Sequence, residues 1–339
     1  MKPAISVVIP TFNRASLLAE VMASFASQSN GFKDLEIFVC DSESTDGTAE
    51  MMSRWVSSYP NSVRHIHTSN NVSRKRNEGL QKSSHDFVVL LDDDCVPDAA
   101  FLDTYRSLAT AHLSGDSKTV LCGETRFPEH WLAKSNYYRF RDSRHFGRDA
   151  AVAGAPLTFK TIVTMNMCFG KSALVAAVGG FDESFVGYGA EDQELGWRLQ
   201  QAGFSIRACA ALAIHHEMSR DIRAFGDKIR RTARDGMTQL LKVAPEAARS
   251  IGLIRMLDAD YPDRTFADAL VLAALRAVLA LGLHHVLGGL LIRTDGVRAL
   301  YCPPAYRVYM ACCYVLGAGQ RERRLSTDEA AVGWAGKSH

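Results

Sequence analysis

Apolar runs and helical periodicities alternate along the first hundred residues. Ala4 to Ile9 is a strand-like run closed by Pro10-Thr11-Phe12-Asn13-Arg14, after which Leu17, Leu18, Val21, Met22 and Phe25 recur at helical spacing. Glu36 to Cys40 forms a second run that ends in Asp41, and Ser44-Thr45-Asp46-Gly47-Thr48 has the residues that turn a chain and cap a following helix. Val63 to His67 reads as a third strand, leading through Asn70-Asn71-Val72-Ser73 into a helix that carries Arg74, Lys75, Arg76 and Asn77. The fourth run, Val88-Val89-Leu90-Leu91, stops in Asp92-Asp93-Asp94. Strands alternating with helices at this spacing predict an α/β fold, with a doubly wound, mostly parallel sheet whose loops open on one edge. A strand buried on both faces cannot hold three charges inside it, so the acids belong at its C-terminal mouth, where Thr11, Asp41, Arg76 and Asp92 share a crevice.

Further on the pattern is less regular. Residues 120–165 combine turns with aromatics such as Trp131, Tyr137 and Tyr138, which suit either a carbohydrate-packing surface or ordinary core. Gly187-Tyr188-Gly189-Ala190 then precedes Glu191-Asp192, and Leu195 and Leu199 mark the buried side of a helix that Gly203 ends. Glu191 and Asp192 therefore lie in its first turn, where acids complement the helix dipole. Ala210 to Ile214 is a short apolar run ending in His215-His216-Glu217.

Composition adds limits. The chain has 339 residues, 47% hydrophobic and 22% charged, enough for one large core and an appended part, and its net charge of +2 carries no global nucleic-acid signature. Eight cysteines without CxxC pairing read as reduced thiols of a cytosolic protein, and the N-terminus has no secretory pattern. Arg220, Arg223, Lys228, Arg230, Arg231 and Arg234 crowd one helix, read either as a solvated face or as a surface for diphosphate or anionic lipid. Phe266 to Ile292 is apolar but interrupted by Arg276, His284 and His285, so its stretches fall short of the roughly 20 residues that span a bilayer. A packed helical pair or an interfacial helix is expected there, with Tyr306 to Leu316 as a second partner and a polar tail beginning at Arg321 to Arg324.

Pro10-Thr11-Phe12-Asn13-Arg14, Cys40-Asp41-Ser42-Glu43-Ser44-Thr45-Asp46-Gly47-Thr48, Arg76-Asn77-Glu78-Gly79 and Leu91-Asp92-Asp93-Asp94 resemble, in order, the motifs of family 2 glycosyltransferases. Met165-Asn166-Met167-Cys168-Phe169 and the Glu191-Asp192 pair extend the resemblance to near residue 220. Many relatives have two acids and a glycine where this chain has Asp41-Ser42-Glu43, which alters that loop.

The resemblance implies a GT-A fold, with residues 1–220 as the catalytic domain (1–118 donor half, 119–220 acceptor half), 221–325 as a C-terminal helical region and 326–339 as a mobile tail. It implies a nucleotide-sugar site with Pro10, Thr11, Asn13, Arg14, Asp41, Arg76, Asp92 and Asp93. On the residues alone, Asp41 equally well just ends its strand, and for Arg76 a solvated helix charge beside Arg74 and Lys75 stays an open reading. Asp94 and Asp92 are the implied metal ligands, joined by His216 or, one residue earlier, His215. Oxygen ligands suit Mn²⁺ or Mg²⁺, and an imidazole tips the set toward Mn²⁺. Asp192 is the implied general base, with Glu191 holding the acceptor hydroxyls or positioning the base.

The activity so implied is metal-dependent transfer of a sugar from a nucleotide diphosphate, UDP first and GDP or dTDP next, to a hydroxyl of a carbohydrate, lipid-linked or small-molecule acceptor, with inversion. Nucleic acid is not an expected partner; peripheral contact at the inner face of the cell membrane is, through 220–234 and 266–292. Two other readings stay open: a sugar-nucleotide-binding scaffold without activity, and a nucleotidyltransferase. The second calls for a glycine-rich phosphate loop that Pro10-Thr11-Phe12-Asn13-Arg14 does not supply.

Overall fold

The computed structural model describes residues 3–29, 31–112, 117–217, 220–251, 254–257, 261 and 264–326. The expected tail at 326–339 lies, apart from Ser326, outside them. Two compact units emerge: residues Met1–Val186 with Glu191–Met218, and Gly187–Ala190 with Ser219–His339.

The first unit is built on a nine-stranded sheet. Its strands are β1 (Ile5–Thr11), β2 (Leu35–Asp41), β3 (Val63–His67), β4 (Phe87–Leu91), β5 (Cys95–Pro97), β6 (Thr119–Arg126), β7 (Pro156–Leu157), β8 (Asn166–Gly170) and β9 (Ser205–His215). They lie in the order β3-β2-β1-β4-β8-β6-β9-β5, with β7 paired to β9. The expected α/β architecture is present, and β3, β2, β1 and β4 are all parallel. Beyond β4 the sheet is mixed, because β8 runs antiparallel to both β4 and β6, whereas β6 and β9 are parallel. The buried strands β1 and β4 contribute Val7, Ile9, Val89 and Leu91 to one face and Val8, Val88 and Leu90 to the other, which is why they read as unbroken apolar runs. Strand β6 was not legible as such: Gly123-Glu124-Thr125 interrupts its apolar start, and its pairing with β9 shifts register between Gly123 and Thr125.

Helices α1 (Ala15–Ala26), α2 (Thr48–Ser58), α3 (Val72–Lys82) and α4 (Phe101–His112) cover the sheet. Helix α3 starts on Asn71, whose side chain accepts the Arg74 N–H, and lies so close to β1 that a Cβ on Gly79 would sit 2.2 Å from Cγ1 of Val8. Gly79→Ala is therefore expected to lower unfolding stability by about 1–3 kcal/mol in urea titration, the cost of overfilling a packed site. All eight cysteines are free thiols, and all but Cys302 are buried.

The second unit is helical. Ile222–Arg231 packs along Pro303–Ser326, and Phe266–Ala280 meets Leu283–Arg293 at a bend of 81°. The last helix runs through Arg321–Arg324 to Ser326. Among the described residues no single helix is long and apolar enough to cross a membrane. Phe266, Leu281 and Val286 are nonetheless well exposed. The basic helix is partly neutralised, with Arg230 on Asp227 at 3.0 Å and Arg234 on Asp235 at 2.7 Å.

Candidate active site

Parallel pairing brings the ends of β1, β2 and β4 to one edge, with Thr11 in register with Asp41. The polar loops that follow are tied together there. Pro10 is buried within β1, and Asn13, in a left-handed conformation (φ 51°), donates its N–H to Ser44 Oγ at 2.7 Å and accepts the Thr45 N–H on Oδ1 at 2.7 Å. Buried Asp41 accepts the Ser44 hydroxyl at 2.5 Å and lies 3.3 Å from Nε2 of His65. Burial and the neighbouring His67 lower the His65 pKa, against the pull of Asp41.

Of the three acids after β4, Asp92 faces one arginine and Asp93 and Asp94 share another. Asp92 accepts from Arg76 at 3.2 Å; Asp93 accepts the Thr11 hydroxyl at 2.7 Å and Arg14 Nη1 at 2.7 Å; Asp94 accepts the same Arg14 nitrogen at 2.7 Å. Burial raises the pKa of Asp92, with Asp94 and Asp192 adding to the rise and Arg76 and Arg14 opposing it. Burial likewise pushes Asp93 up to about 6 despite Arg14. Lys75, also buried, donates Nζ to the Thr11 carbonyl at 2.8 Å, and desolvation depresses its pKa to about 8.

Arg76 is 3% exposed, so it is no solvated helix charge. Its guanidinium reaches Asp92, Glu191 Oε1 at 3.4 Å and Asp192 Oδ1 at 3.5 Å, and stacks over Phe181 with 5.2 Å from Cζ to the ring centroid. One cation thus joins acids about 100 residues apart in the sequence. Glu191 and Asp192 open the helix Glu191–Gln201, as the pattern predicted. The turn before them, Gly187–Ala190, packs against Thr232–Gly236 within the second unit: Gly189 has φ +84°, and a Cβ on Gly236 would sit 1.9 Å from the Gly189 carbonyl oxygen. Thr164, which carried no sequence signal, donates its hydroxyl to Asp192 Oδ1 at 2.5 Å and its N–H to Oδ2 at 3.3 Å.

Burial, reinforced by Asp192 and offset in part by Arg76, pushes the Glu191 carboxyl up to about 7. Between its ordinary value of 4.5 and 7 the folded chain holds a proton that the unfolded chain has lost, so this group makes stability fall as pH rises across that window. Glu191→Gln should remove that component, and urea titrations at pH 4.5 to 7.5 should show the variant losing less stability with rising pH than the parent chain.

Of the two candidate histidines, it is His215 whose Nε2 lies near the acids that follow β4, 3.6 Å from Asp94 Oδ1. His216, the first choice from the sequence, instead sets Nδ1 2.9 Å from Glu20 Oε2 on α1. His215 stacks on Phe127 at 5.0 Å between ring centroids, and its Nδ1 is buried without a hydrogen-bond partner. The donor set fits a divalent ion in charge and type. Burial and the neighbouring acids raise the pKa values of Asp92 and Asp93 against Arg76, Arg14 and the Thr11 hydroxyl, and the Asp94–His215 spacing is close to that of two ligands on one ion. Tyr137 and Tyr138 are buried, and Tyr137 donates to Glu217 at 3.2 Å, so these aromatics serve the core.

Comparison with known proteins adds the following. The model of the family described as glycosyl transferase family 2 matches residues 6–145, and that described as the N-terminal domain of galactosyltransferase matches residues 144–220. A chondroitin synthase of Escherichia coli is 26% identical over 247 residues, covering 63% of this chain and 34% of the relative. A validoxylamine A glucosyltransferase of Streptomyces hygroscopicus subsp. jinggangensis is 28% identical over 228 residues, covering 59% and 52%. The chain thus spans about a third to a half of the length of these relatives. A mannosyltransferase of Pyrobaculum calidifontis, solved with GDP-Man and Mn²⁺, has the same fold: TM-score 0.54 at 18% identity, covering 97% of this chain and 88% of that one.

Proposed function

Because the chain belongs to family 2 of the glycosyltransferases, we propose that it moves a sugar from a nucleotide diphosphate sugar to a hydroxyl acceptor, using Asp192 as the base. The observation that carries this reading is the buried Arg76, which holds Asp92 at a strand mouth together with Glu191 and Asp192 on the Glu191–Gln201 helix. A donor-side acid and a base candidate are then within reach of one bound sugar.

In this reading the acceptor hydroxyl gives its proton to an Asp192 carboxylate oxygen as its own oxygen bonds to the anomeric carbon. The bond from that carbon to the diphosphate oxygen breaks on the opposite side, which inverts the configuration. Thr164 holds both oxygens of Asp192, fixing the direction in which the base faces. Thr11, Asn13 and Asp41 would line the nucleoside end, and Arg14 and Arg76 the diphosphate end. Asp92, Asp94 and His215 would hold the ion, with His215 replacing His216 as the preferred imidazole. A bound Mn²⁺ or Mg²⁺ supplies positive charge against the departing diphosphate, and the mixed oxygen and nitrogen set favours Mn²⁺.

The test is release of nucleoside diphosphate from UDP-, GDP- and dTDP-sugars with simple hydroxyl acceptors, with Mn²⁺ and with EDTA. UDP is the first expectation, and the GDP-Man named for the Pyrobaculum neighbour makes GDP the second. Metal-dependent turnover of one donor, lost in Asp192→Asn, supports the reading. Turnover that survives that change removes Asp192 as base.

For the helical unit, the proposal includes peripheral contact with an anionic bilayer. Exposed Phe266 and Val286 lie on helices that also carry Arg276 and Arg293, with exposed Leu281 in the turn between them, the combination that binds apolar and anionic lipid groups together. The chain should co-sediment with phosphatidylglycerol vesicles, and Phe266→Ser with Val286→Ser should weaken this several-fold without changing donor turnover in solution.

A further inference from the structure

We propose that Asp41, His65 and His67 form a second cation site, selective for a borderline ion such as Zn²⁺ and separate from the Asp92–Asp94 cluster. The site follows from strand geometry. His65 and His67 are two residues apart on β3 and so share a face, while Asp41 pairs in register with His67 from β2. One ligand atom from each of the three lies within 4.8 Å of the others. His65 Nε2 and Asp41 Oδ2 are 3.3 Å apart, the separation expected of two ligands on one tetrahedral ion. The imidazole rings converge, with centroids 4.5 Å apart and planes at 56°.

Two further features suit a metal. The other Asp41 oxygen accepts the Ser44 hydroxyl at 2.5 Å, which fixes the carboxylate as an outer partner does for a metal ligand. Both histidines line a cavity of about 590 Å³, shared with Phe38, Arg64, Glu78 and Lys82, that gives an ion and a water ligand a way in. Two imidazoles and one carboxylate suit Zn²⁺ far better than Mg²⁺ or Ca²⁺, whereas the Asp92–Asp94 cluster is dominated by oxygen.

The consequence for activity rests on the proposed function. Asp41 is there a nucleoside contact, so an ion on it would keep the base out, making Zn²⁺ an inhibitor at the donor's nucleoside end while Mn²⁺ supports transfer at its diphosphate end.

The test needs no turnover. The metal-free chain is titrated with Zn²⁺ against a chromophoric chelator, and separately with Co²⁺ while its visible absorption is followed. The parent chain is expected to bind one more equivalent tightly than His67→Ala or Asp41→Asn, with the Co²⁺ band of a four-coordinate site. His67 is exposed on an edge strand, so its loss should leave folding intact, checked by circular dichroism. The affinity drop should exceed the roughly 10–100-fold that loss of an outer partner costs. Equal Zn²⁺ stoichiometry and affinity in the parent and both variants would overturn the site. If the extra equivalent is present but Zn²⁺ leaves uridine binding unchanged, the metal site stands and the nucleoside role of Asp41 falls.

Discussion

Asp192→Asn is expected to reduce kcat by roughly 10²–10⁴-fold, the range that a positioned general base contributes, while leaving nucleotide affinity near that of the parent chain. The substitution keeps size and the Thr164 hydrogen bonds in outline, but an amide cannot take the acceptor proton. The partition of the effect is the informative part. If Asp192 only completed the charge balance around Arg76, the loss would fall on stability and donor affinity, because one of three carboxylates facing a buried guanidinium would be gone. Rapid-quench turnover with saturating donor separates the two, since a base acts on the chemical step alone.

Arg76→Met should be the most destabilising single change in the site, by about 3–5 kcal/mol near pH 8, because it leaves Asp92, Glu191 and Asp192 without their shared cation. The loss should shrink toward pH 5. Removing the cation raises the folded-state pKa values of Asp92 and Glu191 further, so the deficit grows as pH climbs and recedes where they can protonate. Arg76→Lys should recover part of the stability but not the three-way contact, as an ammonium lacks the planar fork that meets several acids at once. Urea titrations of both variants across that range measure this directly.

Much of residues 1–118 was legible because a parallel strand buried on both faces must be an apolar run that ends where polar loops begin. β3 was read to the residue, and β1, β2 and β4 within one or two positions. The burial of Arg76 was hidden by its neighbours, as Arg74-Lys75-Arg76 looks like a solvated cluster. The corrective signal lay downstream: Gly79 and Leu80, three and four residues after Arg76, mark the inner face of α3. The choice between His215 and His216 could likewise have been made by alternation, since Ala211, Ala213 and His215 form the buried row of β9. Thr164 and the shared use of Arg76 depend on loops and on contacts distant in sequence, and no local pattern encodes them. Residues 119–220 stayed more opaque because β6 buries Glu124 where an apolar residue is expected.

The most direct test of a metal-dependent nucleotide-sugar site is isothermal titration of the purified chain with UDP, GDP and dTDP, each in Mn²⁺ and in EDTA, repeated on Asp94→Ala. The account predicts that one nucleotide binds with Mn²⁺, that EDTA weakens it strongly, and that Asp94→Ala abolishes the difference between the two. Equal binding with and without the ion, or no binding of any of the three by a folded chain, would contradict it.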